Sequence, residues 1–578
     1  MSAATVVPPE YGAGVSSFVE NKLCSADTFA NIRIEESDNT PPVEIITVVA
    51  SLANVTEPRF AFNAWPINDP ATTEVCNVTI TYTHPGWDDT INNFVQLPVS
   101  RDWNDKVLGI GGGGWRAGNI ADLAYATAKG FVGVTTDAGH SLDSQPVADW
   151  ALTDDGTSVN WHLLQDFAGI ALHDAGKLGK KAAAAFYGSG VQKSYFTGCS
   201  TGGRQGHMLA QKFPDVYDGI LATAPAINWD RFLPGMYWPF IVMKEIGYFP
   251  PPCELDAITK AAVSFCDGID GVTDTITVDH DKCSFDPESI VGQEVVCPDL
   301  GDRTITISRE AAKIASAIWD GPRKPTTTHD ESSAGSNNKK LWHGLSKTAS
   351  LLFVAGTECQ ANSTCSPAGF HITIDWLRTF LSADKSLDPA TLTWAEYTDL
   401  FEVSTSQFES VIGTSDANLE RFAQRGGKLL TWHGLVDQLI PPLGTRDYYE
   451  RVVASAQDQS AAGGGSAAHA TTADYFRYFE APGVEHCAGG EGWFPGGALD
   501  ALIDWVEHDR APETLYAENS FASASPPGSR AVNLCLYPKK LRYLGGNADQ
   551  AEAWGCGDSE PATQDGDSDR PIPSRDEL

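Results

Sequence analysis

Residues 194–213 decide the fold class of this chain, and they read SYFTGCSTGGRQGHMLAQKF. Residues 194–197 have the pattern of a short strand, and residues 204–213 have the pattern of a helix. Between them lies a G-x-S-x-G motif that runs from Gly198 to Gly202. In an α/β-hydrolase this motif holds a nucleophilic serine on a tight turn between a strand and a helix. The stretch therefore predicts an α/β-hydrolase fold with Ser200 as the nucleophile.

The acid and the base that such a serine needs can be placed further along the chain. Residues 428–432 predict a strand, and Asp437 lies in the loop after it. Residues 475–480 predict a second strand, and His486 follows it in a loop. The order Ser, Asp, His is the order of this fold. His433 is a rival base, but it precedes the acid, and we interpret it as a loop-packing residue.

The chain has two kinds of sequence. Strand and helix patterns alternate over about residues 75–225 and again from Gly427 to near Val506, which predicts a mostly parallel sheet covered by helices. The residues between these regions alternate little and carry six of the twelve cysteines. We predict a first part of the hydrolase core at 1–225, an inserted lid domain at 226–424, a second part of the core at 425–556, and an acidic disordered tail at 557–578.

Charge and hydropathy argue against two classes of partner. The formal net charge is −35 over 578 residues, whereas binding of nucleic acid or of an anionic membrane needs clustered Lys and Arg. We also find no uncharged apolar run of the roughly 18 residues that a membrane-spanning helix needs. The composition favours an acidic exoenzyme and makes no prediction of oligomeric state.

The cysteines and the glycosylation sequons indicate a secreted glycoprotein. The cysteine count of twelve is even, and no C-x-x-C pair suggests zinc. Sequons begin at Asn54, Asn77 and Asn362. Disulfides and glycans both belong to the secretory route. The last four residues, Arg575 to Leu578, resemble a retrieval signal of the endoplasmic reticulum, with a chance match in an acidic tail as the alternative.

A glycine-rich stretch at residues 109–114, GIGGGG, allows two hypotheses. It follows a predicted strand and satisfies G-x-G-x-x-G, with Asp137 further on, so an NAD-dependent oxidoreductase is one alternative. The other is an oxyanion hole, in which the N–H of Thr201 and that of Gly113 or Gly114 bind the developing oxyanion. We favour the oxyanion hole because an NAD site would leave the serine motif unexplained. Two such donors stabilise an oxyanion by about 3 kcal/mol each.

Three carboxylates crowd one short loop. Asp267, Asp270 and Asp274 lie between Cys266 and Cys283. Carboxylates this close repel one another unless a cation lies among them, and hard oxygen ligands suit Ca²⁺. The register of an EF-hand is absent, so a solvated acidic turn is the alternative.

The serine motif and the predicted acid and base resemble those of the fungal tannase and feruloyl esterase family. The family's mark is a Cys-Ser…Asp…His-Cys arrangement, which Cys199-Ser200, Asp437 and His486-Cys487 match. Residues 248–255 and 266–274 add further similarity, and the resemblance extends over roughly residues 20–556.

The resemblance implies a carboxylic ester hydrolase that cleaves esters of hydroxycinnamic or gallic acid through an acyl-enzyme. It implies Ser200, Asp437 and His486 as the catalytic triad. Thr201 after the serine looks more like feruloyl esterases than tannases, which often carry Asp there, and this favours hydroxycinnamate. A non-catalytic esterase-like binding module is a further alternative, although such modules usually lack a member of the triad.

The resemblance also implies a metal site and a set of disulfides. A structural Ca²⁺ would be held by the carboxylates of Asp267, Asp270 and Asp274 and by the carbonyls of Val272 and Ile276. Together with the spacing of the cysteines, the resemblance predicts six bridges: Cys24–Cys76, Cys199–Cys487, Cys253–Cys266, Cys283–Cys297, Cys359–Cys365 and Cys535–Cys556. For an aromatic substrate, the aromatic residues to inspect first are Trp229, Phe232, Trp238 and Phe240.

Overall fold

The structure of the protein, a computed structural model, describes residues 23–34, 40–99, 103–142, 146–325, 339–360, 364–462 and 471–558. The sequon at Asn362, the predicted tail beyond residue 558 and the C-terminal tetrapeptide lie outside the described residues. No helix within the described ranges is both long enough and apolar enough to cross a bilayer.

The described chain contains the following strands and helices. The strands are β1 (Glu44–Thr56), β2 (Thr72–Thr83), β3 (Ile91–Pro98), β4 (Lys106–Ile110), β5 (Val132–Thr136), β6 (Lys193–Cys199), β7 (Gly219–Thr223), β8 (Glu294–Cys297), β9 (Arg303–Thr306), β10 (Thr357–Cys359), β11 (Cys365–Pro367), β12 (Lys428–Gly434), β13 (Phe476–Ala481), β14 (Thr514–Glu518), β15 (Ala531–Cys535), β16 (Lys540–Tyr543) and β17 (Trp554–Gly557). The α-helices are α1 (Ala26–Phe29), α2 (Leu123–Ala128), α3 (Ala148–Ala151), α4 (Trp161–Gln165), α5 (Ala171–Tyr187), α6 (Thr201–Lys212), α7 (Trp229–Gly235), α8 (Trp238–Ile246), α9 (Pro252–Cys266), α10 (Arg309–Asp320), α11 (His371–Asp375), α12 (Trp394–Phe408), α13 (Glu420–Gln424), α14 (Pro442–Ala462) and α15 (Ala498–His508).

A nine-stranded sheet in the order β1-β2-β3-β5-β4-β6-β7-β12-β13 forms the centre of the molecule. The strands from β5 to β13 in this order run parallel, and β1, β2 and β3 join at one edge through antiparallel pairs. The predicted α/β fold with a mostly parallel sheet is confirmed. Because parallel strands end at the same edge of a sheet, the loops after β6, β7, β12 and β13 lie side by side.

The nine strands come from two separate parts of the chain, residues 44–223 and 428–481. The described residues between these parts contribute helices and two short hairpins, β8–β9 and β10–β11. Aromatic side chains fasten this inserted segment to the core. Trp115, from the loop after β4, lies 5.4 Å from Trp229 and 5.2 Å from Phe380 between ring centroids. Such pairs add to the free energy of burial, so the inserted segment is packed onto the core rather than merely tethered to it.

The disulfide pattern contains four of the predicted bridges and corrects two. Cys24–Cys76, Cys199–Cys487, Cys359–Cys365 and Cys535–Cys556 are present. The predicted pairs Cys253–Cys266 and Cys283–Cys297 are wrong, because the bridges are Cys253–Cys297 and Cys266–Cys283. Cys253 and Cys266 lie near opposite ends of α9. A helix rises about 1.5 Å per residue, which separates these cysteines by roughly 20 Å. A disulfide spans less than about 7 Å between Cα atoms.

A buried cluster of two imidazoles and three carboxylates lies where β2 ends, with His173 Nδ1 2.9 Å from Asp174 Oδ1. His84 Nδ1 is 2.6 Å from Asp89 Oδ2, and His84 Nε2 is 2.9 Å from Asp174 Oδ2. Although burial favours the neutral ring, hydrogen bonds with Asp174 and Asp89 raise the pKa of His84 to about 10. Asp166 Oδ1 lies 3.6 Å from His84 Nδ1, and burial raises the pKa of Asp166 to about 9. The folded protein therefore holds protons here that the unfolded chain releases at lower pH.

We expect this cluster to lower the free energy of unfolding as the pH rises from 6.5 to 9. In the unfolded chain His titrates near 6.5 and Asp near 3.9. Over this window the folded state therefore binds more protons than the unfolded state, which weakens folding as protons become scarce. Asp166→Asn, which cannot ionise, should flatten the dependence of the melting temperature on pH relative to wild type. Asp154→Asn, on an exposed turn, is the matched control. Equal slopes for Asp166→Asn and wild type would contradict the assignment.

Candidate active site

Ser200 lies at the turn between β6 and α6 in a strained backbone conformation. Its φ is 64° and its ψ is −122°, a combination that costs energy for a residue with a side chain. Neighbouring backbone holds it there. The Ser200 N–H donates to the carbonyl of Thr223 at 3.1 Å, and the Ser200 carbonyl accepts the N–H groups of Arg204 and Ala226 at 3.0 Å each.

The glycines of the motif are needed because α6 approaches the sheet very closely. A Cβ atom on Gly198 would lie 2.6 Å from the backbone of Gly202, and one on Gly203 would lie 2.3 Å from the carbonyl oxygen of Thr223. Both distances are shorter than any real contact, so larger residues would push the helix away from the strand that carries Ser200.

Asp437 is fully buried in the loop after β12 and accepts four hydrogen bonds. Its Oδ1 accepts the N–H groups of Leu439 and Ile440 at 2.8 Å each. Its Oδ2 lies 2.8 Å from His486 Nδ1 and 3.0 Å from His433 Nε2. Burial by itself would raise the pKa of Asp437, but the charge of His486 and the hydrogen bond of His433 hold that pKa well below its usual range. The carboxylate is therefore ionised and directed at the ring of His486.

The interpretation of His433 as a loop-packing residue is wrong. His433 belongs to β12, is fully buried, and contacts Asp437 directly. Its other ring nitrogen, Nδ1, lies 2.8 Å from the Thr445 hydroxyl of α14. The i, i+4 spacing of His433 and Asp437 across the end of a predicted strand was the signal in the sequence. Chain order argues against His433 as the base, but it does not bear on a contact between His433 and the acid.

His486 is brought to Ser200 by a covalent link and a hydrogen bond. Its N–H donates to the side-chain oxygen of Gln438 at 3.0 Å. The Cys199–Cys487 bridge joins the residue before Ser200 to the residue after His486, with the two Cα atoms 5.8 Å apart. Ser200 and His486 line the same cavity.

The glycine-rich loop after β4 packs against the start of α6. Gly113 and Arg116 exchange backbone hydrogen bonds at 3.1 Å, so the Gly113 N–H is already used. Gly114 has a φ of 59°, and its carbonyl accepts the Thr201 hydroxyl at 2.8 Å. The N–H groups of Gly114 and Thr201 make no hydrogen bond to other residues that the structure describes. Of the two predicted glycines, Gly114 is therefore the one whose N–H fits an oxyanion hole.

Internal packing also accounts for the glycines that suggested a dinucleotide site. A Cβ on Gly112 would lie 2.0 Å from the carbonyl oxygen of Arg116, and one on Gly111 would lie 2.7 Å from Gly202. The helix that follows, α2, begins only at Leu123, so the loop does not open directly onto a helix N-terminus, as a dinucleotide fingerprint requires.

A cavity of about 340 Å³ opens at Ser200. Its described lining is apolar apart from Ser200, Thr201, His486 and backbone groups. It consists of Phe62, Gly113, Gly114, Ser200, Thr201, Ala226, Trp229, Phe232, Leu233, Met236, Phe353, Phe370, Ile372, Leu439, Ile440, His486 and Cys487. Trp229 and Phe232 were expected there, whereas Trp238 and Phe240 do not line it. Trp238 donates instead to the carbonyl of Ala317 in α10.

In the acidic loop after α9, the carboxylates accept hydrogen bonds from backbone N–H groups of the loop itself. Asp267 Oδ1 accepts the N–H groups of Asp274 and Thr275 at 2.8 and 2.6 Å. Asp270 accepts the N–H groups of Val272 and Val278 at 3.1 and 3.2 Å. Asp274 also pairs with the guanidinium of Arg530. Carboxylate oxygens are the ligands that hard cations prefer, but in the described chain these three carboxylates have backbone N–H groups and the guanidinium of Arg530 as their partners.

Comparison with known proteins shows relatives over almost the whole chain. The family model "Tannase and feruloyl esterase" matches residues 76–557. A "Probable feruloyl esterase" of Arthroderma benhamiae is 38% identical over 520 residues, which cover 89% of this chain and 91% of the relative. A "Tannase" of Aspergillus oryzae is 27% identical over 520 residues, which cover 82% of this chain and 84% of the relative.

Two solved structures share the fold. The tannin acyl hydrolase of Aspergillus niger has a TM-score of 0.79 at 24% identity, covering 93% of this chain and 95% of that one. Feruloyl esterase B of Aspergillus oryzae has a TM-score of 0.72 at 24% identity, covering 93% and 100%. Because the family model spans most of the sequence and the Arthroderma relative is 38% identical over 89% of it, the chain belongs to the tannase and feruloyl esterase family of α/β-hydrolases, which are carboxylic ester hydrolases.

Proposed function

We propose that the protein hydrolyses esters of hydroxycinnamic acids through a covalent acyl-enzyme on Ser200. The observation that carries the proposal is the geometry around His486. Its Nδ1 lies 2.8 Å from an ionised, buried Asp437, and the Cys199–Cys487 bridge ties its loop to the elbow of Ser200. These groups open onto an apolar cavity that can take an aromatic acid.

Each group has one role in the proposed reaction. Ser200 Oγ attacks the ester carbonyl carbon while His486 Nε2 takes the hydroxyl proton. The N–H groups of Gly114 and Thr201 stabilise the oxyanion. The intermediate collapses, and the alcohol leaves with the proton from His486. Water then attacks the acyl-enzyme, His486 takes a proton from that water and returns it to Ser200, and the acid is released. Asp437 orients the ring and stabilises its cation.

The cavity lining favours hydroxycinnamate over gallate. Gallate carries three phenolic hydroxyls on its ring, and each hydroxyl buried without a partner costs about 1–3 kcal/mol. The aromatic and aliphatic side chains that the inserted segment contributes, such as Trp229, Phe353 and Ile372, include no acceptor for such hydroxyls among the described lining. Ferulate carries one phenolic hydroxyl instead of three, and its methoxyl group and propenoyl chain lose less on entering such a site. Thr201 after the nucleophile and the name of the Arthroderma relative support the same substrate class.

We expect kcat/KM for methyl ferulate to exceed that for methyl gallate by roughly tenfold or more, as loss of one or two hydroxyl partners implies. Ser200→Ala should abolish hydrolysis of both esters and leave the melting temperature unchanged, because the variant removes only one hydroxyl. Initial rates and thermal melts on the same preparations measure both effects. A preference for methyl gallate would overturn the substrate class, and full activity of Ser200→Ala would overturn the mechanism.

The Cys199–Cys487 bridge should support both stability and turnover. It links residues 288 positions apart, for which loop-closure entropy suggests roughly 4–5 kcal/mol in a model-dependent treatment. It also fixes the distance between the loops of Ser200 and His486, where an error of about 1 Å can cost on the order of a hundredfold in rate.

We expect the Cys199→Ala/Cys487→Ala variant to lose kcat at temperatures well below its own melting transition. Cys24→Ala/Cys76→Ala removes a bridge between the segment that precedes α1 and strand β2 and serves as the control, which should lose stability but keep its kcat. Measuring kcat and melting temperature for both variants separates positioning from stability. A folded, fully active Cys199→Ala/Cys487→Ala variant would show that the bridge does not position the catalytic groups.

Secretion is proposed from the disulfides and sequons. Six bridges in the described chain suit an oxidising compartment. Asn54 is exposed on the edge strand β1 and is open to a glycan, whereas Asn77 is half-buried in β2 between two neighbouring strands. Asn54 is therefore the better acceptor of the two described sequons.

A structural Ca²⁺ in the acidic loop is a separate proposal. Asp267, Asp270 and Asp274, with the carbonyls of Val272 and Ile276, would hold it. The ion would offset repulsion among the carboxylates and take no part in ester cleavage.

Removal of calcium with EGTA should lower the melting temperature by a few degrees, because a bound ion stabilises the folded state by mass action. Added Ca²⁺ should restore it. Asp270→Asn should respond to neither treatment, while Asp549→Asn, an exposed residue beside the same Arg530, should respond as wild type does. A melting temperature that EGTA leaves unchanged in verified metal-free protein would argue for a solvated acidic turn.

A further inference from the structure

Phe62 reaches the active-site cavity from the connection between β1 and β2, far in sequence from the triad. It lines the cavity together with Ser200 and His486. It also packs against the buried cluster that contains both sulfurs of the Cys199–Cys487 bridge. We propose that Phe62 is a specificity-determining residue, whose ring contacts the aromatic acyl group of the ester beside the bridge, and that Asn63 is the positioning residue that holds it there. The proposal rests on the ester hydrolysis proposed above.

Asn63 ties this connection to both strands beneath the nucleophile. Its side chain is buried, with 2% exposure. The Asn63 amide nitrogen donates to the hydroxyl of Thr197 in β6 at 3.0 Å, and the amide oxygen accepts the hydroxyl of Thr223 in β7 at 2.6 Å. Thr223 is also the residue whose carbonyl accepts the Ser200 N–H. Asn63 is therefore hydrogen-bonded to β6 and β7, the same two strands that hold the turn of Ser200.

The backbone on both sides of Phe62 is held as well. The Phe62 N–H donates to the carboxylate of Asp122, a buried residue at the start of α2, at 3.2 Å. Asn63 has a φ of 61°, a left-handed conformation that asparagine tolerates better than most residues. Anchors on the N–H of Phe62 and on the side chain of the next residue leave its main chain little freedom. Phe62 is thus held in a fixed position at the wall of the cavity.

The position of Phe62 differs from that of the other aromatic residues around the cavity. Trp229, Phe232, Phe353 and Phe370 all come from the inserted segment. Phe62 comes from the core side, where it rests on the bridge that joins the loops of nucleophile and base. A side chain there contacts a bound aromatic acyl group without contributing to the attack, so its removal should alter selectivity more than chemistry.

Phe62→Ala tests the first half of the proposal, with Phe60→Ala as the matched control. Phe60 is 65% exposed, lies two residues away and does not line the cavity. We expect Phe62→Ala to raise KM for methyl ferulate roughly tenfold, since loss of apolar contact in a pocket has effects of this size. Hydrolysis of 4-nitrophenyl acetate, whose acyl group is small, should lose less than hydrolysis of methyl ferulate, and Phe60→Ala should match wild type on both esters.

An unchanged ratio of kcat/KM between the two esters in folded Phe62→Ala would overturn the role of Phe62. Phe62→Leu, which retains an apolar side chain, keeps the test available if the alanine variant does not fold. If wild type hydrolyses neither ester, the proposed function fails instead, and the two failures are distinguishable.

Asn63→Gly tests the positioning role of Asn63. Glycine accepts the positive φ at this position, so the variant removes only the side-chain hydrogen bonds to Thr197 and Thr223. The variant should lower the ratio of kcat/KM for methyl ferulate to kcat/KM for 4-nitrophenyl acetate. In the double variant Phe62→Ala/Asn63→Gly the shift should not exceed that of Phe62→Ala alone, since Asn63 acts through Phe62. Additive shifts, or an Asn63→Gly variant that changes only the melting temperature, would overturn the positioning role.

Discussion

The disulfide between Cys199 and Cys487 is the constraint on which the site depends. Ser200 occupies a strained turn after β6, and His486 belongs to a loop after β13, three strands away in the sheet. Parallel strand order brings these loops to one edge, but loops at a sheet edge can still shift by more than catalysis tolerates. A covalent bond between the residues that flank nucleophile and base restricts that shift directly, and it does so without occupying the space where the ester binds.

The acid is supported in a different way. Asp437 is buried, and burial of an isolated carboxylate favours its neutral form. Two backbone N–H groups and two imidazoles surround it, so its four hydrogen bonds satisfy both oxygens and keep it ionised. His433 has the additional effect of connecting the acid to Thr445 on α14. The carboxylate that orients His486 is thus itself fixed by hydrogen bonds to both of its oxygens. This restricts the ring of His486 to the orientation that serves the nucleophile.

The binding cavity combines parts with different origins. Most of its apolar wall comes from the inserted segment, which aromatic packing around Trp115 fastens to the core. Phe62 adds a wall from the antiparallel edge of the sheet, where Asn63 secures it to β6 and β7. The same strands therefore position the chemistry and one boundary of the substrate site. We therefore expect substitutions in the insert and in the β1–β2 connection to change selectivity while the catalytic geometry is retained.

The sequence by itself determined the hydrolase fold and the serine elbow, and it indicated Asp437 and His486 as partners, because these depend on local patterns and on residues within a few positions of a strand end. Of the four aromatic residues that it offered as candidates for the substrate site, Trp229 and Phe232 line the cavity, and Trp238 and Phe240 do not. The tertiary structure alone decided features that depend on distant segments meeting. Cys253 and Cys266 are near in sequence, yet α9 holds them apart, so each bonds to a cysteine from beyond the helix. The role of His433 required the exact course of the loop after β12, and that of Phe62 required the packing of the β1–β2 connection beneath the elbow. No local pattern encodes such contacts, since they arise only when strands remote in the chain become neighbours in the sheet.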